Sequence, residues 1–413
     1  MSPSYPIRPI SMSELPQFVR VGEQAFNSTW PTEPLLEWER LLFEPERSLA
    51  AFDGDEIIGT TTIMSFDMIV PGGQVGVAGV TAVSVLPSHR RRGVLSSLMQ
   101  TQLADVSAGS EPVAALFASE SVIYGRYGYG VATRHLSYDI KRGEGLLTLP
   151  ANPPTLRIVD PKSAIASLKQ VHDALRETRP GMMSRSKPYW DVMLDDPEFT
   201  REGGTPMHCV LATGSSGPRG YALYRVKPNW GPDGLPAHVL TVRELFAVDR
   251  DATVTLWADM LSRDLVGEVN TRSRPLDDPL LYELADPRRT RASYTDGLWI
   301  RLIDLPTALS HRRYACDVDV VIEVSDERLP ANSGRWRLQA GGLGDEGKPI
   351  CERTTDEPDV ALPVSALGAA YLGGTRLGGL AAAGQITELR PGAVAALSAA
   401  MWWDPAPWAP TMF

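Results

Sequence analysis

The sequence has 413 residues, more than one typical domain contains, so we expect two or three domains. Hydrophobic residues make up 43% of the chain and charged residues 22%, which is typical of a soluble globular protein, and no apolar run is long enough to predict a membrane span. The formal net charge of −10 argues against nucleic acid as a partner, because such a partner needs a broad basic face, and it suits a cationic substrate better.

Cysteine and histidine usage predicts neither a metal site nor a disulfide framework. Cys209, Cys316 and Cys351 are scattered and odd in number, which favours a reducing cytoplasm. No cysteine–histidine group has metal-ligand spacing, and the six dispersed histidines give a Ser-His-Asp hydrolase no local support. The N-terminus has no basic region followed by an apolar run, so we expect no signal peptide.

The first predicted element is a helix over residues 11–27. Ser11 and Glu14 have the spacing of a capping box, and Pro16 is tolerated in a first helical turn. Three aromatic residues lie at the end of this helix or after it. Two interpretations are equally open for them: ordinary core or lid packing, and the wall of a substrate pocket. They are Phe26, Trp30 and Trp38.

The next segment is predicted to form antiparallel strands. Runs at residues 49–52 and 57–70 flank an Asp-Gly pair, which indicates a hairpin. A Pro-Gly-Gly turn then starts a further strand that ends at Leu86. Helix, antiparallel strands and then strand, loop, helix and strand make an α+β order. The PANPP sequence at residues 150–154 predicts a linker.

The stretch at residues 79–100 is the most informative part of the chain. Residues 80–86 are β-branched and apolar, which predicts a buried strand ended by Pro87, with Ser88 as the N-cap of a helix. Apolar residues recur at helical spacing from Val94 onward. Between strand and helix stand Arg90, Arg91, Arg92 and Gly93. We call residues 87–93 the arginine loop.

The arginine loop has the chemistry of a phosphate site. The start of a helix offers unpaired N–H groups and partial positive charge, and arginine donates in a fork suited to phosphate oxygens. A basic helix start on a solvated face is the alternative interpretation. The stretch resembles the coenzyme A signature Q/R-x-x-G-x-G/A of the GCN5-related N-acetyltransferases (GNAT), with Arg90, Gly93 and Leu95 at its three fixed places. Leu95 departs from the usual small residue.

A second resemblance to the same superfamily lies at residues 121–130, SVIYGRYGYG. Tyr124, Gly128 and Tyr129 fill its Y-x-x-x-G-F/Y segment. There the first tyrosine commonly acts as general acid toward the departing thiolate. A packed aromatic side chain beside a glycine-rich turn is the alternative interpretation of Tyr124.

The middle of the chain repeats the order of the first part. A helix over 164–178, a hairpin over 210–213 and 220–226, a strand over 240–249 and a helix over 250–261 are predicted. Only Arg250 and Asp251 stand where the first copy has its arginines. We interpret this segment as a degenerate acetyltransferase fold that does not bind coenzyme A, with an unrelated α+β domain as the alternative.

The pattern changes again from about residue 296. Strands are predicted at 298–303, 318–324, 335–338 and 360–362, and helices at 305–313, 365–372, 377–383 and 393–401. The tail WWDPAPWAPTMF contains three prolines, which prevent helix, and it is too apolar to be comfortably solvated. We expect it to dock on the protein; a frayed terminus is the alternative.

Taken together, these motifs resemble one family, the enhanced intracellular survival (Eis) acetyltransferases. The resemblance extends over nearly the whole chain, and it rests on residues 80–99, 118–130, 220–226 and 296–309 and on the final Phe413. It implies an α+β protein with two tandem GNAT folds, the second degenerate, and a C-terminal sterol-carrier-like α+β domain. The predicted limits are 1–148, 155–295 and 296–413.

The resemblance also implies roles for individual residues. Tyr124 would be the general acid and the terminal carboxylate of Phe413 the general base. Phe117 stands where family members can have histidine, so a polar group of the pocket is absent there. Residues predicted to hold acetyl-CoA are Val83, Ser84, Val85, Arg90, Arg91, Arg92, Gly93, Val94 and Ser96. Residues predicted to line the substrate pocket are Phe26, Trp38, Phe117, Ser119 and Glu120.

The sequence therefore predicts an acetyl-CoA-dependent N-acetyltransferase without a metal. Its expected acceptors are the amines of aminoglycosides or similar polyamines, at more than one position. A protein-lysine acetyltransferase and a lipid- or ligand-binding module are the alternatives. The expected partner is an amine-bearing small molecule, with no nucleic acid and no membrane, and the resemblance implies a homohexamer in the cytoplasm.

Overall fold

The structure is a computed structural model that describes residues 5–28 and 32–413. Trp30, one of the aromatic candidates, lies outside the described residues. The strands, numbered along the chain, are β1 (Ile7–Pro9), β2 (Leu49–Asp53), β3 (Glu56–Val70), β4 (Gly73–Val85), β5 (Val113–Phe117), β6 (Gly130–Val131), β7 (Arg134–Lys141), β8 (Thr155–Val159), β9 (His208–Gly214), β10 (Gly217–Lys227), β11 (His238–Ala247), β12 (Val266–Arg274), β13 (Ser293–Asp296), β14 (Leu298–Leu302), β15 (Val318–Ser325), β16 (Gly334–Ala340), β17 (Ile350–Arg353), β18 (Val360–Pro363) and β19 (Thr387–Glu388). The helices are α1 (Leu15–Phe26), α2 (Thr32–Leu42), α3 (Val94–Ser107), α4 (Ser121–Tyr124), α5 (Ile165–Arg176), α6 (Lys187–Met193), α7 (Arg250–Ser262), α8 (Leu280–Glu283), α9 (Leu305–Ser310), α10 (Val364–Ala370), α11 (Leu377–Ala382) and α12 (Ala393–Met401).

The chain divides into two compact units that cut across the predicted domain limits. Unit 1 comprises Met1–Thr133, Met183–Val192 and Gly297–Phe413, and unit 2 comprises Arg134–Met182 and Met193–Asp296. Strand β7, which falls before the predicted limit at 148, is in the sheet of unit 2. Strand β14, which falls after the predicted limit at 296, belongs to the first sheet of unit 1.

The first sheet of unit 1 has the order β1-β2-β3-β4-β5-β14-β6. The predicted hairpin of β2 and β3 is confirmed, with Asp53 opposite Glu56. All neighbours are antiparallel except β4 and β5, which are parallel and joined through α3. Because β14 pairs with both β5 and β6, a strand distant in sequence flanks the segment that contains Tyr124.

The second sheet of unit 1 has the order β17-β16-β15-β18-β19. The predicted strands of this region are confirmed, and β17 and β19 are additional short strands that the sequence did not indicate. One core cluster draws on both sheets of unit 1, with Phe66 and Val77 from the first and Ile322 and Leu362 from the second, joined by Leu397 of α12. Full burial of such a side chain contributes about 1.5–3 kcal/mol.

A buried arginine holds the point from which the C-terminal tail leaves this core. The guanidinium of Arg312 donates hydrogen bonds to the carbonyl oxygens of Ala370, Tyr371 and Met401. These carbonyls lie at the C-terminal ends of α10 and α12, where the backbone has no helical partner and a cation is favoured. Burial lowers the pKa of Arg312. The exit of the tail after Met401 is therefore fixed to the core.

Unit 2 contains one sheet in the order β13-β7-β12-β11-β10-β9-β8. Strands β11 and β12 are parallel and joined through α7, as β4 and β5 are joined through α3 in unit 1. The remaining neighbours are antiparallel. The repeated strand–helix–strand arrangement agrees with the predicted duplication.

Two predicted helix starts were wrong. Helix α1 begins at Leu15 rather than at Ser11, because Pro16 fits only the first turn of a helix, and the Ser11–Glu14 hydrogen bonds form in the preceding turn. Ser88 lies in a short 3₁₀ turn, and α3 begins at Val94. The left-handed backbone at Arg91 and Gly93, with φ of 62° and 84°, interrupts a helix that would start at Ser88.

Candidate active site

Strands β4 and β5 part in the middle of the first sheet. Strand β5 pairs with β4 only from Val77 to Gly79, whereas β3 accompanies β4 as far as Val85. Within the described residues, no strand pairs with the other edge of β4 after Gly79. The backbone N–H and C=O groups on that edge can therefore bind an extended ligand.

A β-bulge deforms β4 inside this cleft. Register shifts between Thr60 and Thr62, and Ala82 has a positive φ of 49°. The hydroxyl of Thr60 donates to the carbonyl oxygen of Ala82 at 2.7 Å and lies 2.5 Å from the hydroxyl of Ser84. Bulges re-aim neighbouring groups at functional sites. Because the Ser84 side chain is buried and bonded to Thr60, this residue can offer acetyl-CoA only its backbone.

The arginine loop follows directly on β4. Arg90, Arg91, Arg92 and Gly93 are all exposed, and among the described residues the side chains of Arg90 and Arg91 have no hydrogen-bond or ion-pair partner. Gly93 precedes α3 with no side-chain cap, so the first N–H groups of the helix remain open to a ligand. Two unpaired arginine side chains beside a helix start are groups that bind an anion, in agreement with the chemistry of the predicted phosphate site.

The base of the arginine loop is held by neighbouring side chains. His89 Nε2 lies 3.2 Å from Asp53 Oδ2, and its Nδ1 lies 2.9 Å from the hydroxyl of Ser88. The ring of Tyr5 meets the His89 ring edge-on at 5.7 Å, and Arg92 Nη1 donates to the Tyr5 hydroxyl at 3.3 Å. Arg92 is thus positioned by Tyr5, which precedes β1, whereas the side chains of Arg90 and Arg91 are not held in this way.

Tyr124 ends α4, one short turn after β5. Its side chain is buried, and its ring meets that of Tyr129 edge-on with centroids 6.1 Å apart. The pKa of Tyr124 is raised to about 12, mainly by burial; electrostatic interactions with Tyr127 and Glu120 also raise it, and a hydrogen bond with Ser119 lowers it. The phenol therefore stays protonated at neutral pH and can donate a hydrogen bond.

The helix after the arginine loop is connected to the turn after Tyr124. The hydroxyl of Ser96 in α3 lies 3.2 Å from the hydroxyl of Tyr127. Tyr127 belongs to the 3₁₀ turn Gly125–Tyr127, which continues from α4. One of the residues predicted to hold acetyl-CoA, Ser96, is therefore in contact with the turn directly after the predicted acid.

The C-terminal residue lies at the same cleft. The ring of Phe413 packs between Phe66 and Phe117, with centroid distances of 4.9 and 5.3 Å. The ring of Phe66 lies over Gly79, where a Cβ atom would come within 2.7 Å of it, and Gly79 is the last residue of β4 paired with β5. Only glycine at position 79 leaves room for this ring. The expectation that the tail docks on the protein is confirmed.

Polar contacts hold the last residues of the tail. Thr411 is fully buried and accepts a hydrogen bond from Arg185 Nε at 3.1 Å. The hydroxyl of Tyr189 donates to the carbonyl oxygen of Met412 at 2.8 Å. These two contacts hold Thr411 through its side chain and Met412 through its backbone carbonyl.

The predicted pocket residues do not all meet at this cleft. Phe117 contacts Phe413, Ser119 hydrogen-bonds Tyr124, and Glu120 is exposed at the start of α4. Phe26 is the last residue of α1 with 53% of its surface exposed, and Trp38 is half-buried on α2. The roles of Phe26 and Trp38 stay predictions.

Comparison with known proteins now identifies the fold and the family. Family models described as acetyltransferase (GNAT) domains match residues 6–132 and 181–302, and a model described as a sterol carrier protein domain matches residues 305–410. The N-acetyltransferase Eis of Mycobacterium tuberculosis is 33% identical over 343 residues, which cover 81% of this chain and 80% of the Eis chain. This chain belongs to the Eis family of N-acetyltransferases.

Other relatives support the same assignment. An uncharacterized N-acetyltransferase of Streptomyces coelicolor is 43% identical over 386 residues, or 92% of each chain. The crystal structure of Eis1 from Mycobacterium abscessus is 31% identical, covers 99% of this chain and all of its own, and superposes with a TM-score of 0.83. A GCN5-related N-acetyltransferase of Anabaena variabilis shares the fold, with a TM-score of 0.84 at 19% identity. The predicted two GNAT folds and sterol-carrier-like domain are confirmed, and GNAT acetyltransferases use acetyl-CoA.

In unit 2 of this Eis-family chain, the position that corresponds to the arginine loop already contains an anion. The carboxylate of Asp249 caps α7, accepting from the N–H of Ala252 at 2.9 Å. Arg219 donates to both oxygens of the same carboxylate at 2.7 Å. Arg250 is bound to Glu283 through two further hydrogen bonds. A phosphate would have to displace this carboxylate.

In unit 2, the space where strands β11 and β12 diverge is also occupied by side chains. Their parallel pairing ends at Val242 and Thr271. Beyond it, Arg274 Nη1 donates to the carbonyl oxygen of Leu245 at 2.7 Å, and Arg274 Nε donates to Asp278 at 2.6 Å. The chain's own side chains thus occupy both parts of a coenzyme A site, in agreement with a degenerate second GNAT fold.

Sequence reasoning missed Phe66 and Tyr189 as neighbours of the tail. Phe66 appeared only as one residue of a long apolar strand, and Tyr189 lies in a short polar segment without a motif. The aromatic character of both was visible, but their approach to Phe413 depends on tertiary structure.

No helix in the described part of the chain is long and apolar enough to cross a membrane.

Proposed function

We propose that this Eis-family chain transfers the acetyl group of acetyl-CoA to primary amines of aminoglycosides or similar polyamines, at more than one position. The observation that carries the proposal is the position of Phe413. Its ring packs on Phe66 and Phe117 at the cleft between β4 and β5, so the last residue of the tail lies beside the predicted thioester site. The net charge of −10 suits a polycationic acceptor.

Acetyl-CoA would lie along the open edge of β4. Backbone groups of Val83, Ser84 and Val85 would bind the pantetheine and polarise the thioester carbonyl, as an oxyanion hole does. The pyrophosphate would lie at the start of α3. Its ligands would be the side chains or backbone N–H groups of Arg90, Arg91, Arg92, Gly93, Val94 and Ser96.

The reaction joins the amine nitrogen to the acetyl carbon and breaks the carbon–sulfur bond. Holding both reactants in one cleft supplies much of the acceleration. An amine enters as an ammonium ion with a pKa of about 8–10, whereas a terminal carboxyl has one near 3.5, so direct deprotonation is uphill by roughly 7 kcal/mol. An ammonium nitrogen has no lone pair, so it must lose its first proton before it attacks the thioester. The carboxylate of Phe413 is therefore a base either for this first proton through a bridging water, or for the nitrogen after the N–C bond has formed, when water has taken the first proton.

The proton must finally reach the thiolate. Donation from Tyr124, with its pKa of about 12, to a thiolate near 8.5 is uphill by about 3.5 units, or roughly 5 kcal/mol. Tyr124 accordingly acts as a hydrogen-bond donor whose bond strengthens as charge develops on sulfur. The phenol keeps its own proton throughout; the proton taken from the nitrogen by the Phe413 carboxylate passes to water, and the thiolate is protonated from water.

A homohexamer and a cytoplasmic location complete the proposal. The hexamer rests on the family resemblance, and light scattering of the purified chain measures it directly. The location rests on Cys209, Cys316 and Cys351, which are all free thiols. A trimer or monomer in solution would refute the proposed hexamer and leave the proposed acetyl-transfer reaction unchanged.

The decisive experiment measures thiol release from acetyl-CoA with a panel of acceptors. The panel contains several aminoglycosides, a linear polyamine, a lysine peptide and a reaction without amine. We expect release with the aminoglycosides or the polyamine, and products with two or more added acetyl groups in mass spectra. Single additions throughout would restrict the enzyme to one position. Turnover of the lysine peptide alone would replace the proposed acceptor with protein lysine.

A further inference from the structure

A buried ion pair lies beneath the turn that follows Tyr124. Arg301 in β14 and Asp326 after β15 have side chains that are 0% and 1% exposed. Arg301 Nη2 lies 2.7 Å from both carboxylate oxygens of Asp326. Asn332 donates to Asp326 at 3.0 Å, and Arg301 Nη1 donates to the carbonyl oxygen of Leu302. The carboxylate is thereby held in one orientation.

The guanidinium of Arg301 touches the turn from below. Gly128 has a φ of 83°, and a Cβ atom there would lie 2.8 Å from Arg301 Nε and 2.9 Å from Arg301 Cζ. Gly128 ends the 3₁₀ turn that begins directly after Tyr124, and its N–H donates to the carbonyl oxygen of Gly125. The planar guanidinium therefore packs directly against the turn at Gly128, and we call this contact the floor of the turn.

The backbone around this turn is held by the same strand. Strand β14 pairs with β5 before the turn, with Ala114 opposite Arg301, and with β6 after it, with Gly130 opposite Ile300. The N–H of Tyr129 donates to the carbonyl oxygen of Tyr124 at 3.3 Å. The segment with Tyr124 is thus a loop whose two flanking strands, β5 and β6, both pair with β14, and β14 also supplies the Arg301 guanidinium that contacts the turn.

Stability alone is a weak reason for such a pair. Buried ion pairs cost desolvation, and well-packed apolar residues often replace them without loss. Their contribution can instead be a fixed geometry, which arginine provides through its rigid fork. Arg301 Nε is buried and has no hydrogen-bond partner among the described residues, so the guanidinium is oriented through its two terminal nitrogens, by Asp326 and the carbonyl oxygen of Leu302.

We infer that Arg301 and Asp326 are positioning residues for Tyr124. They hold the turn at Gly128 so that the Tyr124 hydroxyl stays directed at the sulfur of acetyl-CoA. This inference rests on the proposed function of Tyr124 as the donor to the leaving thiolate. It gives the region after residue 296 a part in acetyl transfer that acts through Tyr124, by way of β14 and the loop after β15.

The test compares two acetyl donors in the full-length enzyme. Acetyl-CoA needs a donor to its leaving sulfur, whereas the selenium analogue of acetyl-CoA releases a selenolate, which is a more stable anion and needs little help. We would measure kcat and KM of Arg301→Lys, Asp326→Asn and Gly128→Ala with both donors and a saturating amine. Arg274→Lys is the matched control, because Arg274 and Asp278 form a buried pair in unit 2 with side chains 6% and 0% exposed.

For Arg301→Lys we expect kcat with acetyl-CoA to fall on the order of 10²-fold, because a displacement of about 1 Å at the reacting groups has that effect. The KM for acetyl-CoA should change by no more than roughly twofold. The selenium donor should restore most of the lost rate, as it should for Tyr124→Phe. Arg274→Lys should lower the melting temperature without a difference between donors.

Equal losses with both donors would overturn the inference, since a general disturbance of the fold slows both. A normal kcat in folded Arg301→Lys and Gly128→Ala would also overturn it. If Arg301→Lys does not fold, Gly128→Ala tests the same contact from the other side. Donor dependence in Tyr124→Phe but not in the Arg301 or Gly128 variants would refute positioning and leave the proposed function intact. If Tyr124→Phe loses the same rate with both acetyl donors, the proposed function of Tyr124 is refuted.

Discussion

The ring of Phe413 meets the ring of Phe117 edge-on, with centroids 5.3 Å apart, at the end of strand β5. Phe117 is the last residue of that strand, and Tyr124 follows one short helix later. The final residue of the chain and the predicted acid are therefore both placed by the end of β5. Docking of the proline-containing tail at this point would place the terminal carboxylate where the proposed base is needed.

The first prediction concerns the carboxylate of Phe413. Adding residues after Phe413 should lower kcat by about 10²-fold or more, because the base is lost while the ring can still pack. Acetyl-CoA binding, measured by calorimetry, should stay normal. The control is the same extension followed by a protease site, since cleavage back to Phe413 should restore the rate. Full activity of the extended enzyme would rule out the carboxylate as base.

The second prediction concerns the arginine loop. Changing Arg91 and Arg92 together to Ala should raise the KM for acetyl-CoA roughly tenfold or more, since charge-assisted hydrogen bonds contribute about 1.5–3 kcal/mol each before solvent screening. The charge-matched control changes Arg272 and Arg288, two exposed arginines of unit 2. A KM equal to that of the control would exclude the loop as the phosphate site.

The third prediction concerns the hydroxyl of Tyr124. Tyr124→Phe keeps the ring contact with Tyr129 and removes the donor, so kcat should fall by about 10²-fold with little change in KM. Tyr282→Phe, at an exposed site in unit 2, is the control and should behave as wild type. Near-normal kcat in Tyr124→Phe would show that water or another group serves the thiolate.

The fourth prediction follows from the raised pKa of Tyr124, about 12. An ordinary tyrosine would be half ionised near pH 10, so kcat should not lose the contribution of Tyr124 between about pH 8 and pH 10. The buried phenol of Tyr124 contributes fully to the free energy of unfolding below about pH 10. Above pH 10 the tyrosine ionises in the unfolded chain before it does in the folded protein, so the free energy of unfolding falls as pH rises toward 12. A step in kcat near pH 10 that disappears in Tyr124→Phe would contradict the raised pKa.

The fifth prediction concerns unit 2, where Asp249 caps α7. Calorimetry should give one acetyl-CoA per chain. Asp249→Ala should lower the free energy of unfolding by about 1 kcal/mol through loss of the cap, without changing that stoichiometry. Asp251→Ala, in the first turn of the same helix, removes the same charge without removing the cap. Two molecules bound per wild-type chain would contradict the filled site.

The sequence by itself determined the parts of this protein that depend on neighbours in the chain. The strand before Pro87, the arginines, Gly93 and the helix that follows are consecutive residues, and their types alone indicate an anion site. The alternation of strands and helices likewise predicted both GNAT folds. Helix starts were less certain, because one proline at position 16 and one left-handed residue at position 91 moved them.

Tertiary structure alone decided which distant residues share the cleft. Strand β14 enters the first sheet between β5 and β6, although more than the whole of unit 2 separates it from them in sequence. Its apolar pattern predicts a strand but does not specify a partner strand, because strand pairing is set by long-range packing. The floor that Arg301 forms under Gly128, and the contacts of Phe413 with Phe66 and Phe117, exist only after these segments have packed together.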